Sequence, residues 1–416
     1  MLFETFLTNT FYPSFELEGP SPFNTIELYL NGKCDQKCKY CYINKHHDDY
    51  FPEGTEDESR IMSNMLDLKY WMKSHRMNKV QITLFGGEVL SQDIGYKIID
   101  LLITDFPIKT ITIPSNMNFI FNREDEVQKL INKAKEYDKI INISASVDGL
   151  YMEENREIKS GTQRDEKFYE NMFDFCSKNN FGFHPMIYSN KIEKWKDNFL
   201  WFQNEFIKYN ISYNMLYLLE VRNKEWTEDQ CTELGKFLDF LVKWTYNNIG
   251  EDIFMKTLNN NPLFNVLLSP FIEVNRGIFC SIQSMLCIRL GDLSIYPCHR
   301  LTYPDFMTAK YNSKNNLFED HHSELGISIY GAEKKTFPVC ASCPINNLCV
   351  GGCLGSQFEE MGDMFMPIPS VCRMEHYKVY SLIKAYKEIG LLSKIIKKVN
   401  IAKQEQIVIL EREIFI

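Results

Sequence analysis

Eleven of the thirteen cysteines fall into two groups whose spacing suits metal ligation. Cys34, Cys38 and Cys41 lie in one C-x3-C-x2-C loop, Leu30-Asn31-Gly32-Lys33-Cys34-Asp35-Gln36-Lys37-Cys38-Lys39-Tyr40-Cys41. Three thiolates from one short loop can cap three irons of a cubane and leave the fourth iron without a protein ligand. A Cys3His zinc site completed by His46 or His47 satisfies the same spacing, so the loop alone leaves both readings open. The second group is Cys280, Cys287, Cys298, Cys340, Cys343, Cys349, Cys353 and Cys372. Eight ligands are what two closed four-iron cubanes need. Cys176 and Cys231 stand apart and read as small buried hydrophobes.

Elements that could position these groups follow from the pattern around them. At 416 residues the chain has room for two or three structural units. Short β-rich runs are expected at Thr25–Leu30, Val80–Leu84, Thr110–Pro114, Ile140–Ser146, Phe183–Tyr188 and Tyr213–Leu219. Apolar spacing predicts helices at Ile61–Lys73, Ile94–Ile103, Glu126–Lys135, Lys167–Ser177, Asp197–Lys208 and Asp229–Asn247. This alternation predicts an α/β fold, a partial (β/α)6 TIM barrel over residues 24–250 after an N-terminal extension at 1–23. A linker at 251–279 leads to a Cys-rich domain at 280–375, held by metal more than by an apolar core. Residues 376–416 read as a C-terminal helix and strand, with an amphipathic helix near Glu375–Lys397 and an apolar run at Ile407–Leu410. The acidic stretch His47–Glu58 reads as a solvated loop.

Composition narrows the function classes. A net charge of -9 lacks the basic footprint of nucleic-acid binding. The first residues show neither a basic region nor an A-x-A cleavage pattern, and no run reaches about 18 apolar residues, so a cytoplasmic protein with no membrane association is expected. In a reducing compartment clustered cysteines point to metal or redox chemistry and not to disulfides.

The loop after the first strand, with Tyr40 before its last cysteine, resembles the radical S-adenosylmethionine (SAM) superfamily. Phe85-Gly86-Gly87-Glu88 after the second strand resembles that family's G-G-E motif, with Val89 where the family has Pro. The resemblance implies a [4Fe–4S] cluster on Cys34, Cys38 and Cys41 whose open iron binds SAM. It implies that Gly86, Gly87 and Glu88 receive the SAM ammonium. Ser115-Asn116 and the Ser146-Val147-Asp148-Gly149 segment resemble further family turns, which would put Tyr40, Ser115, Asn116, Ser146, Asp148, Arg156 and Arg222 among the SAM contacts.

Cys340-x2-Cys343-x5-Cys349-x3-Cys353 with Cys372 resembles the second half of the SPASM domain of peptide-modifying radical SAM enzymes, and Cys280 and Cys298 are spaced like its first half. Leu293 stands where that motif has its hairpin glycine. By this resemblance Cys280, Cys287, Cys298 and Cys353 hold auxiliary cluster I, with Cys287 absent from some relatives, and Cys340, Cys343, Cys349 and Cys372 hold auxiliary cluster II. That makes three [4Fe–4S] clusters with SAM. The implied function is a radical SAM/SPASM peptide maturase, an oxidoreductase that abstracts a hydrogen from a ribosomally made peptide and forms a thioether or C–C crosslink. Its implied partners are that precursor peptide and an external electron donor such as flavodoxin or ferredoxin. Only 23 residues precede the barrel, too few for a leader-binding domain, so a separate leader-binding protein, a barrel edge or strand addition at Ile407–Leu410 would take that role. The alternatives are a sulfatase-maturase-like formylglycine-forming enzyme, which has an acidic residue where His299 stands, a non-catalytic iron–sulfur electron carrier, and a zinc-stabilised module. No side chain stands out as catalytic acid or base.

Overall fold

The computed structural model describes residues 25–74, 77, 80–251, 265–271, 282, 285–321, 323–329, 337–349 and 351–414. The N-terminal extension, most of the linker and Cys280 lie outside the described residues. Strands run in chain order as β1 Thr25–Tyr29, β2 Gln81–Phe85, β3 Thr110–Ser115, β4 Ile140–Ala145, β5 Gly182–Phe183, β6 Met186–Ile187, β7 Leu219–Glu220, β8 Met285–Arg289, β9 Ser294–Tyr296, β10 Ala309–Asn312 and β11 Leu317–Asp320. The chain forms two compact units: Met1–Ser146 with Glu157–Met172 and Cys280–Gly331, and Val147–Arg156 with Phe173–Phe279 and Ala332–Ile416.

In the first unit β1 to β4 pair in parallel through Ile26↔Ile82, Ile82↔Ile111 and Ile111↔Ile141. Helices Glu58–Ser74, Asp93–Thr104 and Glu124–Glu136 make the crossovers. Parallel strands covered on both faces need near-continuous apolar runs. Accordingly Ile26, Leu28 and Tyr29 of β1 are fully buried, and the one charge among them, Glu27, is buried too. On the other side of β1, β8 pairs in parallel with it, and β9, β10 and β11 continue antiparallel. The expected hairpin thus joins the sheet of the first strands.

The β8–β9 turn is the Leu290-Gly291-Asp292-Leu293 segment. Leu293 takes the left-handed conformation, with φ of +49°, the region glycine enters without steric cost. A Cβ on Gly291 would lie 1.7 Å from the Thr55 carbonyl oxygen. Gly291 therefore serves a close approach, while Leu293 carries the turn with its side chain buried.

Three expectations are corrected. The fifth run divides into β5 and β6 around His184-Pro185, because proline has no N–H for a ladder. The sixth begins as a 3-10 turn at Tyr213–Met215 and becomes the short β7. Most consequentially, Ile407–Leu410 is not a strand: it lies inside the helix Ile401–Ile414, with Lys403, Ile407 and Leu410 buried at helical spacing and Val408 and Ile409 exposed. The flanking Gln and Glu residues are good helix formers. A helix there offers no free strand edge for a peptide to pair with.

His47–Glu58 is also more ordered than a solvated loop. His47–Tyr50 is helical, Phe51 and Thr55 are buried, and Glu56 Oε1 accepts the Gly32 N–H at 2.9 Å.

In the second unit β6 and β7 pair in parallel. Helix Glu228–Ile249 opens on a Thr227/Gln230 capping box, and a Cβ on its Gly235 would lie 2.4 Å from Ser381 Oγ of helix Pro369–Glu388. Among the described residues, no helix is long and apolar enough to cross a membrane.

Candidate active site

The Cys34–Cys41 loop leaves β1 and is strapped down by the segment after β2. Asn31 O accepts the Gly87 N–H at 2.8 Å and Lys33 O accepts the Glu88 N–H at 2.9 Å. A Cβ on Gly87 would stand 2.1 Å from Lys33 O, so only glycine permits this approach. Gln92 adds a side-chain tie, donating to Asn31 Oδ1 and Lys33 O. Farther along, Gln36 bridges Ile158, with Lys37 N donating to Glu157 O and Lys159 N to Asp35 O.

All three thiols are half-buried. The Gln36 N–H points at Cys34 Sγ (3.4 Å) and the Asn44 N–H at Cys41 Sγ (3.5 Å). Such donors stabilise thiolate charge, which metal ligation needs. Against that, burial and then Glu88 push the Cys34 thiol pKa up, a penalty that a bound cation would offset. His46 faces Asp49, and His47 faces Asp48 and Glu56. Among the described residues, the three thiols do not all lie within 4.8 Å of one another, with or without His46 or His47, as a closed tetrahedral zinc site requires. The donor set fits a cubane better.

Glu88 is buried beside the loop. Its Oε2 accepts the Asn116 N–H at 2.6 Å, and its Oε1 accepts Ser115 Oγ–H at 2.9 Å and the Leu90 N–H at 3.2 Å. Burial nevertheless pushes its pKa up to about 7, past the lowering by these donors. Asn116 Nδ2 and Asn118 Nδ2 both donate to the Asp35 carboxylate, at 2.6 and 2.8 Å, and Arg164 holds Asn116 O and Asn118 Oδ1. Asp35, Asn118 and Arg164 escape motif reading because their partners lie 81, 83 and 46 residues away. Of the other expected SAM contacts in this unit, Tyr40 is buried and Ser146 N donates to Ser115 O at 2.7 Å.

The radical SAM superfamily model matches residues 28–228. Residues 28–228 form a radical SAM domain. The family implies a [4Fe–4S] cluster and SAM, and marks the chain as an enzyme. Among solved structures, the chain is similar to Streptococcus suis SuiB bound to precursor peptide SuiA, at 16% identity and TM-score 0.50, over 84% of this chain and 75% of that one. SuiB bound to S-adenosylmethionine aligns at 15% identity and TM-score 0.48 with the same coverage. At such identities the likeness is one of fold. No curated protein matches the sequence.

In the second unit Asp148 Oδ1 accepts Arg156 Nε at 2.8 Å and the Met186 N–H at 2.9 Å, so these two expected SAM contacts form an ion pair. His184 is packed close by, and burial followed by the Arg156 charge pulls its pKa down to about 4. Arg222, expected at SAM, lines a cavity with Cys340, Cys349, Cys353 and Cys372. Cys343 lies near Cys372, with its Sγ 3.4 Å from His376 Nε2. Burial, then Cys340 and Cys343, raise the Cys372 pKa to about 11, so these three thiols lie within electrostatic reach of one another. Cys176 and Cys231 are buried outside this cavity.

On the first unit's inner face, register places Glu27 beside Cys287 and Cys287 beside Tyr296. Cys287 is fully buried, and burial, then Glu27, push its pKa well up. Glu27, Cys298 and His299 bring one ligand atom each within 4.8 Å of one another. His299 Nδ1 is 2.7 Å from Glu27 Oε2, and its ring stacks on Phe85 and Tyr42, the residues beside the glycine strap and Cys41. Tyr29 lies in the same set: burial, then Cys287, Cys41, Glu27 and Cys298, raise its pKa, and its buried hydroxyl has no hydrogen-bond partner among the described residues. Sequence reasoning noted His299 only as the place of a missing acid and passed over Glu27 and Tyr29.

Proposed function

We propose that the chain is a radical SAM/SPASM peptide maturase that abstracts a hydrogen atom from a ribosomally made peptide and completes an oxidative crosslink, a thioether or C–C bond. The observation that carries this reading is the gathering of Cys340, Cys349, Cys353 and Cys372 around one cavity in a chain that also carries a radical SAM domain. Thiols gathered there fit a closed cubane; by the SPASM pattern Cys340, Cys343, Cys349 and Cys372 would hold one, and Cys280, Cys287, Cys298 and Cys353 would hold another, which with the first loop gives three. The structure of SuiB with a precursor peptide supports a peptide substrate for a chain of this fold.

In the radical SAM domain, Cys34, Cys38 and Cys41 would hold a cubane. Gly86, Gly87, Glu88, Ser115 and Asn116 would line the SAM side. When bound, the cluster and SAM supply a 5′-deoxyadenosyl radical. The protein's own work is positional. The Gly87 strap fixes the loop on Asn31 and Lys33, Asn116 and Asn118 anchor Asp35, and Glu88 presents a carboxyl group able to pair with an ammonium ion. An external donor such as flavodoxin or ferredoxin would deliver the electron, and a separate protein or an edge of the barrel would take the leader.

Anaerobic reconstitution tests the reading. About twelve irons and as many sulfides per chain are expected, with 5′-deoxyadenosine formed from SAM after reduction. Peptides encoded beside the gene should lose two hydrogens per crosslink by mass spectrometry. About four irons per chain would remove the SPASM part. A full iron complement without 5′-deoxyadenosine would overturn the enzyme reading in favour of an electron carrier.

A further inference from the structure

Arg222 follows β7 directly, and its side chain is held by three groups. Nη1 donates to Gly351 O at 2.5 Å, Nη2 stands 2.6 Å from Glu375 Oε1, and Nη2 also lies 3.4 Å from Glu220 Oε2. Gly351 sits between Cys349 and Cys353, and Glu375 is one helical turn after Cys372. One guanidinium therefore ties together two of the three segments that carry the cavity's cysteines, the Cys349–Cys353 loop and the Cys372 helix.

Glu375 points to the same purpose. It lines the cavity, is 1% exposed, and neither carboxylate oxygen has an aligned hydrogen bond among the described residues. Its charge rests on the Arg222 ion pair. Deeper in, Lys378 Nζ pairs with Glu220 Oε1 at 2.5 Å, with both side chains 1% exposed. Two acids and two bases thus balance beside the cysteines. Burying ion pairs is a poor route to stability, because desolvation offsets their attraction. Something charged in the cavity would give this arrangement a use.

We infer that Arg222 is the positioning residue of a cluster held by these cysteines, clamping the loop of Cys349 and Cys353 to the helix of Cys372 while setting the electrostatic potential in which the cluster is reduced. The inference rests on the proposed reading that the second cysteine group binds iron–sulfur clusters. Arginine suits both tasks: its planar fork reaches a carbonyl and a carboxylate together, and its charge is permanent. Burial works against that charge, but Glu375, Glu220 and Cys349 outweigh it and push the pKa further up. A nearby positive charge favours the reduced, more negative cluster. A nearby carboxylate opposes it.

These opposite signs make the test. In a Cys34→Ala/Cys38→Ala/Cys41→Ala background, which removes the first site, the redox midpoint of the remaining clusters is followed by EPR. The signal of interest is the one lost on adding Cys340→Ala. Arg222→Gln should lower that midpoint by at least the equivalent of a tenfold change in the oxidised-to-reduced ratio, about 59 mV for one electron. Glu375→Gln should raise it. Arg222→Lys should return most of the potential while retaining less iron through gel filtration, since the charge survives and the fork does not. Iron-loaded variants whose midpoints stay unchanged, or move in one common direction, overturn the inference and leave the maturase reading standing. If Arg222→Gln loses its iron, Glu375→Gln decides alone: a rise supports the inference and no change overturns it. Absence of any cluster in the triple-alanine background overturns the maturase reading and the inference with it.

Discussion

Replacing Glu88 tests the SAM side of the site most directly. Its carboxyl has a pKa of about 7 in the absence of ligand, because burial outweighs the donors Asn116 N, Ser115 Oγ and Leu90 N. An ammonium group is recognised by the carboxylate and not by the acid. The apparent affinity is therefore the intrinsic one multiplied by the ionised fraction. That fraction is about one half at pH 7, about nine tenths at pH 8 and about one tenth at pH 6. SAM should bind roughly tenfold more weakly at pH 6 than at pH 8, with the loss on the acid side. Glu88→Gln keeps much of the shape and discards the charge. A hydrogen bond to a charged group contributes about 1.5–3 kcal/mol, so the variant should lose roughly ten- to more than a hundredfold in affinity at pH 8. More tellingly, it should lose the pH dependence. Equilibrium binding of SAM to reconstituted protein between pH 6 and 8.5 supplies both curves, and any titration elsewhere is common to them. Equal slopes in the two proteins would refute the assignment of the carboxylate to the ammonium.

Other perturbations read different parts of the structure. Gly87→Ala drives a methyl group into the Lys33 carbonyl and should displace the cysteine loop. Reconstituted iron should fall by about one cubane, about four irons, while thermal unfolding of the rest of the chain is measured as a control. Lys378→Met leaves Glu220 buried without its nearest partner and should cost about 3–5 kcal/mol in denaturant unfolding. Adding Glu220→Met should recover much of that loss. His184, with its pKa drawn down to about 4, takes up its proton more readily in the unfolded chain. Stability should therefore fall as pH drops from about 6.5 toward 4, and His184→Phe should flatten that limb of a melting-temperature profile.

Local patterns made much of this molecule legible. The first four strands and the six helices follow runs and periods contained in a few residues, and the structure departs from those expectations by only a residue or several at the ends. The short pieces failed where tertiary context decides. Phe183–Tyr188 has β-rich composition, yet Pro185 breaks its ladder. Ile407–Leu410 is four apolar residues in a row, a pattern that strand and helix share. Its helical state follows from burial of Ile407 and Leu410 and exposure of the two between. The left-handed turn at Leu293 was hidden for another reason. A leucine there signals no turn, and the conformation is tolerable because the side chain is buried while Asp292 bonds Arg289 and Ser294 on either side.

The site was legible in its ligands and illegible in their support, for a geometric reason. Cysteines announce themselves by spacing because one loop delivers them. The groups that orient them come from strands adjacent in space and remote in sequence. Glu27 and His299 are the clearest case. Read along the chain, His299 occupies the position where a sulfatase maturase has an acidic residue, and no acid stands there. In the structure a carboxylate is there after all, supplied by β1 across 272 residues and held 2.7 Å from His299 Nδ1. The parallel pairing of β8 with β1 brings it there, setting Glu27 beside Cys287 and, through the β8–β9 hairpin, near Cys298. An imidazole backed by a carboxylate differs chemically from a lone carboxylate: Nδ1 faces Glu27, and the ring's other nitrogen is left to act as donor or acceptor. The substitution at residue 299 therefore alters the chemistry available beside Cys298 without removing the acid, a distinction that strand pairing shows and motif spacing does not.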